Sequence, residues 1–477
     1  MPEFGKLRSF GAYIPRLRLA RSAIAAAIGW ANPQAVTQQQ GSRAVCNWDE
    51  DALTLAVEAG RSCLADAMQP SIESLSIAST TLPFADRDNA ALVAEALALP
   101  ESAETLSFGG SLRAGTSALI SAGRRASGST LVIASDARIA KPASAQELSW
   151  GHAAAAFLFD PDAKSPIATI MASHHLTADF VDHYRLAGQR FDYSQEERWV
   201  RDEGLAKLVP RAISGALAAA SLRANDVQRL VMPGSQSAVR RVAQLAGFAQ
   251  ANLQDNLHSR CGDAGTAQPL LMLAAALEDA QPGELLMLVG FGQGVDAILV
   301  RADRKPTQRP VSESLDRGIE ENNYVRYLSQ AGLLEVDFGM RAERDSRTAH
   351  TAAYRHHREI TGFSGGRCGV CETVQFPKSR VCVNPGCRAT DSQTDYRLAD
   401  SSGRVKSFTE DWQAYSPRPP YVYGNVEFAE GGNLLMELTD VEAGQVRIGD
   451  AVRFVYRLKN SDHQRGFRRY FWKAARC

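Results

Sequence analysis

Four cysteines crowd into one twenty-residue span, as Cys368-Gly369-Val370-Cys371 and Cys382-Val383-Asn384-Pro385-Gly386-Cys387. Two residues separate the first pair, four the second, and ten lie between the pairs. Thiolates at this spacing can converge on a tetrahedral Zn²⁺, with Gly and Pro shaping the two knuckles that carry them. Four protein ligands leave no coordination position open for a substrate, so the expected role of Cys368, Cys371, Cys382 and Cys387 is structural. An iron–sulfur or redox centre is the competing reading of the same residues.

A second stretch suited to chemistry is Ser107-Phe108-Gly109-Gly110-Ser111-Leu112-Arg113-Ala114-Gly115-Thr116-Ser117-Ala118-Leu119. It reads as a small-residue turn entering a helix that runs to about Arg125, with Ser111 as N-cap. Free N–H groups and the dipole at such a helix start stabilise a thiolate or an oxyanion. The polar and aromatic stretch 170–205 offers His183, Tyr184 and Tyr193 as acid–base candidates, with surface or packing roles as the simpler reading of each.

The elements around these residues alternate. Helix-spaced segments such as Asp49 to Ala65 and Asn89 to Leu99 lie between strand-like runs such as Ile72 to Thr81 and Thr130 to Asp136. The pattern returns weakly in the second half. There Gly262 to Pro269 leads into an apolar helix from Leu270 to Ala280 and a strand from Glu284 to Gly290. Alternation of this kind argues for buried, mostly parallel sheets. A polar, Pro-containing linker begins at Asp303, and 303–360 reads as linker plus helices. The final eighty or so residues read as five short strands with a hairpin turn at Glu430-Gly431-Gly432, which suits a small OB-type barrel.

The chain has 477 residues, with 53 basic and 53 acidic side chains, so its formal net charge of zero argues against nucleic acid or an anionic membrane as the global partner. Arg465, Arg468, Arg469, Tyr470, Phe471 and Trp472 resemble a single-strand-binding set only superficially. No secretory h-region and no apolar run long enough for a bilayer are present, and a cytoplasmic protein is expected.

Two resemblances follow from these motifs. Residues 1–302 resemble the thiolase superfamily, closest to hydroxymethylglutaryl-CoA synthases and type III ketoacyl synthases. The resemblance rests on Gly11-Ala12-Tyr13-Ile14-Pro15, on the two similar α/β halves, and on Leu112-Arg113-Ala114-Gly115-Thr116, where the family has Cys-x-x-Gly-Thr. It implies a five-layer αβαβα sandwich, a homodimer and a CoA thioester substrate. Residues 361–398 and 399–477 resemble the zinc-ribbon and OB-fold parts of proteins that accompany or extend thiolase-like enzymes. A separate thiolase or lipid-transfer-type protein is therefore an expected partner.

The resemblance also implies a catalytic set that this chain has altered. Leu112 stands at the place of the nucleophilic Cys, Met232 or Pro233 at that of the His, and Gly262-Asp263 at that of the Gly-Asn loop. A leucine cannot form an acyl-enzyme. The favoured expectation is aldolase or retro-aldolase chemistry on a 3-hydroxyacyl-CoA, with Asp263, His258, Tyr184 or Tyr193 handling protons. The alternatives are a Claisen-type acyltransferase whose nucleophile has moved to Ser111 or Cys261, and a non-catalytic acyl-CoA-binding partner of a separate thiolase. In each case Arg240 and Arg241, read as lying at a helix start, are candidates for the CoA phosphates, against the bland reading of a solvated basic face.

Overall fold

The computed structural model describes residues 5–65, 71–125, 127–248, 253–342, 347, 349–462 and 464–477. The chain divides into two units, one made of 1–46, 51–91 and 99–324, the other of 47–50, 92–98 and 325–477.

The first unit is built on nine strands. In spatial order they are Arg229–Val231, Leu285–Phe291, Gly294–Ala302, Ala168–Thr177, Lys6–Tyr13, Ala153–Phe159, Ser129–Asp136, Ile72–Ala78 and Glu104–Phe108. The middle of this array is a seam. Lys6–Tyr13 meets Ala168–Thr177 only through Lys6↔Thr169 and Leu7↔Ala168, so the sheet falls into two halves. Helix Ala52–Leu64 covers the outside of the first half, resting on Lys6–Tyr13 and Ala153–Phe159. Helices Ala114–Gly123 and Gln268–Asp279 touch each other between the halves. Helix Ala206–Ala220 covers the outside of the second half, with Gln236–Leu245 beside it. Five layers result, and the central core is shared by both inner helices.

Residue type explains these placements. Gln268–Asp279 is apolar around its whole circumference, as a helix enclosed between two sheets must be. Ala52–Leu64 starts at a capping box in which Asp51 accepts from the Leu53 and Thr54 N–H groups and Thr54 Oγ1 accepts from the Asp51 N–H. The sheet is mixed rather than mostly parallel. Parallel pairing is confined to Ile72–Ala78 with both its neighbours and to Arg229–Val231 with Leu285–Phe291. Leu285–Phe291 and Gly294–Ala302 are joined by two residues, too few for a crossover, and must pair antiparallel.

The first unit also continues past Ala302, into the stretch expected as linker. Helix Pro310–Asp316 packs on Lys6–Tyr13, and Ile319–Glu321 pairs in parallel with Leu17–Ala20. Glu278 holds the start of that helix by accepting from Val311 N at 2.6 Å and Ser312 Oγ at 2.5 Å.

The second unit contains a three-stranded antiparallel ribbon, Ser364–Cys368 with Val374–Gln375 and Gln393–Arg397, and a closed five-stranded barrel. The barrel strands are Ser402–Asp411, Tyr421–Phe428, Asn433–Thr439, Ala451–Asp462 and Phe467–Arg476. Gly431 and Gly432 make the turn before Asn433 with φ of 90° and 81°, a conformation that glycine adopts freely. Phe363 is fully buried among Phe376, Phe428, Phe454, Phe471 and Trp472. Tyr470 and Trp472 are thus core residues and offer no exposed stacking platform.

Beside this aromatic core lies a buried charge cluster. Lys473 Nζ pairs with Asp49 Oδ2 and Glu437 Oε2, each at 2.9 Å, and lies 4.1 Å from the centre of the Trp48 ring. Arg457 pairs with Glu50 at 3.0 Å and Asp440 at 3.2 Å. For Glu437, burial alone would raise the carboxyl pKa. Lys473, Lys459 and the Tyr421 hydroxyl outweigh it and hold the pKa well below the usual range.

Two outcomes are expected. Lys473→Met leaves two buried carboxylates without their shared cation and should destabilise the second unit by about 3–5 kcal/mol, measured by urea unfolding followed through tryptophan fluorescence. Because the folded pKa of Glu437 is depressed, its contribution is present above the ordinary glutamate pKa and is lost as pH falls below it. Between pH 6 and pH 3 the unfolding midpoint should fall further in the wild type than in Glu437→Gln.

Candidate active site and four-cysteine centre

The N-terminal turn of Ala114–Gly123 is where several elements of the first unit converge. Gly115 lets it approach the 265–267 turn, since a Cβ there would stand 2.5 Å from the Thr266 carbonyl oxygen. Gly292 brings the loop between strands onto the same turn, since its Cβ would stand 2.8 Å from Ser111 Oγ and 3.1 Å from Leu112 N. The helix begins at Ala114, later than the Ser111 cap expected. Ser111 Oγ donates to Gly292 O at 2.6 Å and accepts from Arg113 N at 3.1 Å. The hydroxyl is therefore tied into the backbone, and among the described residues no general base touches it.

A buried carboxylate fixes this turn. Asp296 accepts from Arg113 Nη1 and His175 Nδ1 at 2.9 Å on one oxygen, and from Thr116 Oγ1 at 2.9 Å and Ser117 Oγ at 2.8 Å on the other. Arg124 Nη2 donates to His175 Nε2 at 2.9 Å, so these partners assign the histidine proton to Nδ1. A second buried carboxylate, Asp136, accepts from Ser79, Thr80, Thr81 and the Thr266 N–H.

Asp263 is partly buried, and its backbone N–H donates to the Ser149 carbonyl oxygen while its carbonyl oxygen accepts from the Gly151 N–H, each at 2.8 Å. Burial pushes its carboxyl above the ordinary aspartate range. The Gly265 N–H and Arg138 oppose that rise, Asp136 adds to it, and His183 opposes it. Arg138 lies 3.6 Å over the Trp150 ring and pairs with Asp192 at 2.7 Å. Asp192 also pairs with Arg185 at 3.4 Å, and Arg185 donates to the Thr80 carbonyl oxygen. His183 Nδ1 meets Asp182 at 2.9 Å, and Gln293 Nε2 donates to the His183 carbonyl oxygen at 3.2 Å. The result is a cluster of acids, bases and arginines next to the altered turn.

The other candidates lie differently. Tyr184 and Tyr193 pair across a two-stranded hairpin with ring centres 5.3 Å apart, and both are exposed. Cys261 is buried, and burial pushes its thiol up to about 12, so it is a neutral thiol at physiological pH. His258 is partly buried near Arg21, and burial followed by that positive charge lowers its pKa to about 4, which keeps the ring neutral. Met232, which with Pro233 is a candidate for the histidine's place, is buried in an apolar cluster. Arg240 and Arg241 are exposed in the middle of Gln236–Leu245, not at its start, and Arg241 pairs with Asp202 at 3.3 Å.

Sequence reasoning passed over Arg113, Arg138, Asp182, Asp192 and Asp296. Arg138 and Asp192 are 54 positions apart, Arg113 and Asp296 183 apart, and no local pattern announces such pairs. The one available signal was the density of Asp, His and Arg in 179–192.

In the second unit, the sulfurs of Cys368, Cys371, Cys382 and Cys387 all lie within 4.8 Å of one another. Cys368 and Cys387 Sγ are 3.9 Å apart, and Cys371 and Cys382 Sγ are 3.5 Å apart. A tetrahedral ion with bonds of about 2.3 Å spaces its sulfurs by about 3.8 Å, so the four residues fit a metal ion. The Val370 N–H points at Cys368 Sγ and the Asn384 amide at Cys371 Sγ, which would orient and partly neutralise thiolates there.

Comparison with known proteins fits this geometry. Residues 217–301 match the family described as 3-oxoacyl-[acyl-carrier-protein (ACP)] synthase III C terminal, and residues 396–457 match ChsH2, C-terminal OB-fold domain. The hydroxymethylglutaryl-CoA synthase of Archaeoglobus fulgidus is 28% identical over 334 residues, covering 67% of this chain and 95% of the relative. A hydroxymethylglutaryl-CoA synthase solved with CoA superposes with a TM-score of 0.58 at 16% identity, covering 72% of this chain and 95% of the other. The 3-oxoacyl-(acyl carrier protein) synthase III FabH of Pseudomonas aeruginosa gives 0.57 at 19%, covering 64% and 99%. The first unit thus has the thiolase fold, and the barrel is an OB fold. Among the described residues no helix is long and apolar enough to cross a membrane.

The four-cysteine centre should carry about one divalent ion per chain by elemental analysis. Substitution with Co²⁺ should give the visible bands of a tetrahedral thiolate site, and Cys371→Ser should lose both the ion and the bands.

Proposed function

We propose that this thiolase-fold chain with an OB-fold tail acts on acyl-CoA thioesters, at the C–C bond next to the thioester carbonyl. Similarity to hydroxymethylglutaryl-CoA synthases over most of their length supports that substrate class, with Claisen-type condensation as the wider reaction class. The site's own side chains favour a route with no acyl-enzyme, of which aldol addition or retro-aldol cleavage of a 3-hydroxyacyl-CoA is the simplest case.

One observation carries this reading. The residue at the nucleophile's place is Leu112, and its nearest substitutes are disarmed: Ser111 is bound into the Gly292 loop, and Cys261 is a buried thiol. Retro-aldol chemistry needs a base for the 3-hydroxyl and stabilisation of the thioester enolate, and no covalent intermediate. Asp263, whose raised pKa favours the protonated form, suits the return of a proton to C2 of that enolate. Arg138 and Arg185 supply positive charge in the same cluster.

Two further readings keep a specific support. The comparisons with named synthases favour Claisen-type condensation, which in this chain would need a relocated nucleophile. The likeness of the tail to the ChsH2 OB-fold domain favours a partner that binds acyl-CoA for a separate thiolase. In all three readings we assign structural zinc to the four-cysteine centre and the CoA phosphates to Arg240 and Arg241.

The test is intact-protein mass after incubation with short and aromatic acyl-CoAs, followed by a carbonyl-product assay on 3-hydroxyacyl-CoAs. No adduct, together with release of an aldehyde or ketone, is the expected outcome; acylation of Ser111 or Cys261 overturns the reading in favour of the relocated nucleophile. Asp263→Asn should lower kcat for cleavage by about 10²–10⁴-fold. As a proton donor Asp263 acts in its protonated form, so the wild-type rate should fall as pH rises through its pKa.

A further inference from the structure

The resemblance sets Met232 or Pro233 at the place of the family's histidine, yet a histidine stands beside the same cluster on another element. We propose that His183, oriented by Asp182, is the side chain that exchanges a proton with the substrate's 3-oxygen. The inference rests on the acyl-CoA reading above and names a further catalytic residue for it.

Strand alternation makes the first part of the case. His183 and Tyr184 form a two-residue strand paired with Ser194 and Tyr193, so neighbouring side chains point to opposite sides. The tyrosines take the exposed side, and the His183 side chain is only 15% exposed. Orientation makes the second part. His183 Nδ1 lies 2.9 Å from Asp182 Oδ2, and an ionised carboxylate only accepts, so Nδ1 carries the proton and the ring is fixed. Asp182 Oδ1 is buried with no hydrogen-bond partner among the described residues.

The charges around the ring make the third part. His183 Nε2 is 3.9 Å from Asp192 Oδ2, too far for a hydrogen bond, and Asp192 is already paired with Arg138 and Arg185. The groups against the ring are therefore Asp182 and Asp192, with Arg138 and Arg185 behind Asp192 and Asp263 within electrostatic reach. Among the described residues Nε2 has no hydrogen-bond partner, and the carboxylate nearest it is the one that already holds two arginines, whose charge can help to stabilise a developing oxyanion. In cleavage, Nε2 takes the proton of the 3-hydroxyl, and C3–O becomes a carbonyl. The C2–C3 bond breaks, its electron pair becomes the thioester enolate, and Asp263 returns a proton to C2. Addition runs the same transfers in reverse.

The test uses the full chain, with 3-hydroxybutyryl-CoA as probe, in two measurements. The first is steady-state cleavage across pH for wild type, His183→Gln and Asp182→Asn. His183→Gln should lower kcat by about 10²–10⁴-fold with little change in KM, and Asp182→Asn should lower it less and shift the pH profile. The second is a long-range ¹H–¹⁵N spectrum of the ¹⁵N-histidine-labelled protein, with His183→Gln assigning the signal. An Nδ1–H tautomer whose Nε2 resonance moves on saturation with the probe is expected, as is loss of that tautomer in Asp182→Asn.

Wild-type turnover in His183→Gln overturns the role of His183 and leaves the acyl-CoA reading standing. An Nε2 resonance unmoved by the probe overturns the role of His183 whether or not the wild type turns over. Absence of turnover with a responding Nε2 supports the contact while counting against 3-hydroxybutyryl-CoA as substrate.

Discussion

A carboxylate with no access to water must have its charge answered by donors, and Asp296 is answered by four. Three come from the first turn of the central helix, and the fourth from a histidine on the neighbouring strand. Asp296 lies two residues beyond the glycine-bearing turn. Its bonds therefore set where that turn lies against Ser111, Leu112 and Arg113. Leaving such a group unpaired costs several kcal/mol, so the arrangement is held against alternatives. The helix N-terminus, the loop that closes on it and the hydroxyl tied between them all inherit their geometry from this one buried charge.

The same clamp makes the fold independent of the residue type at 112, where the resemblance would place a nucleophile. The side chains that hold the turn are Arg113, Thr116 and Ser117, while the residue at the nucleophile's place holds none of it. Chemistry at this position could change while the scaffold stayed, and fold and reaction are separable in that sense. What remains beside the turn is a charged cluster running from Asp263 through Arg138 and Asp192 to His183. That equipment suits proton transfer and oxyanion stabilisation.

Much of the architecture was legible. The repeated pattern around Gly110 to Asp136 and Gly262 to Gly290 marked the two halves, and the spacing of Cys368, Cys371, Cys382 and Cys387 marked the metal-fitting centre. The five barrel strands were readable from short alternating runs and the Gly431-Gly432 turn. Strand direction was less so, because a two-residue link and a helix crossover leave similar apolar runs on either side. The stretch after Ala302 looked like linker because its polar residues hide Val311 and Leu315, which are buried, and because its cap, Glu278, is more than thirty positions away. The site was the least legible part. Arg138, Asp192 and Asp296 acquire meaning only through partners distant in sequence, whereas Tyr184 and Tyr193 drew notice by residue type and pack against each other as tilted, exposed rings.

The second unit draws four residues, 47–50, and seven more, 92–98, from stretches whose neighbours belong to the first. Asp49 answers the buried ammonium of Lys473, and Glu95 pairs with His357 at 2.9 Å. The tail is consequently not a cassette. A gene segment encoding 325–477 alone would specify a barrel with a lysine in its interior and one of its two counter-ions missing. The barrel depends, as a sequence, on residues encoded far upstream of it, so recombination at the apparent boundary would not return a self-sufficient tail.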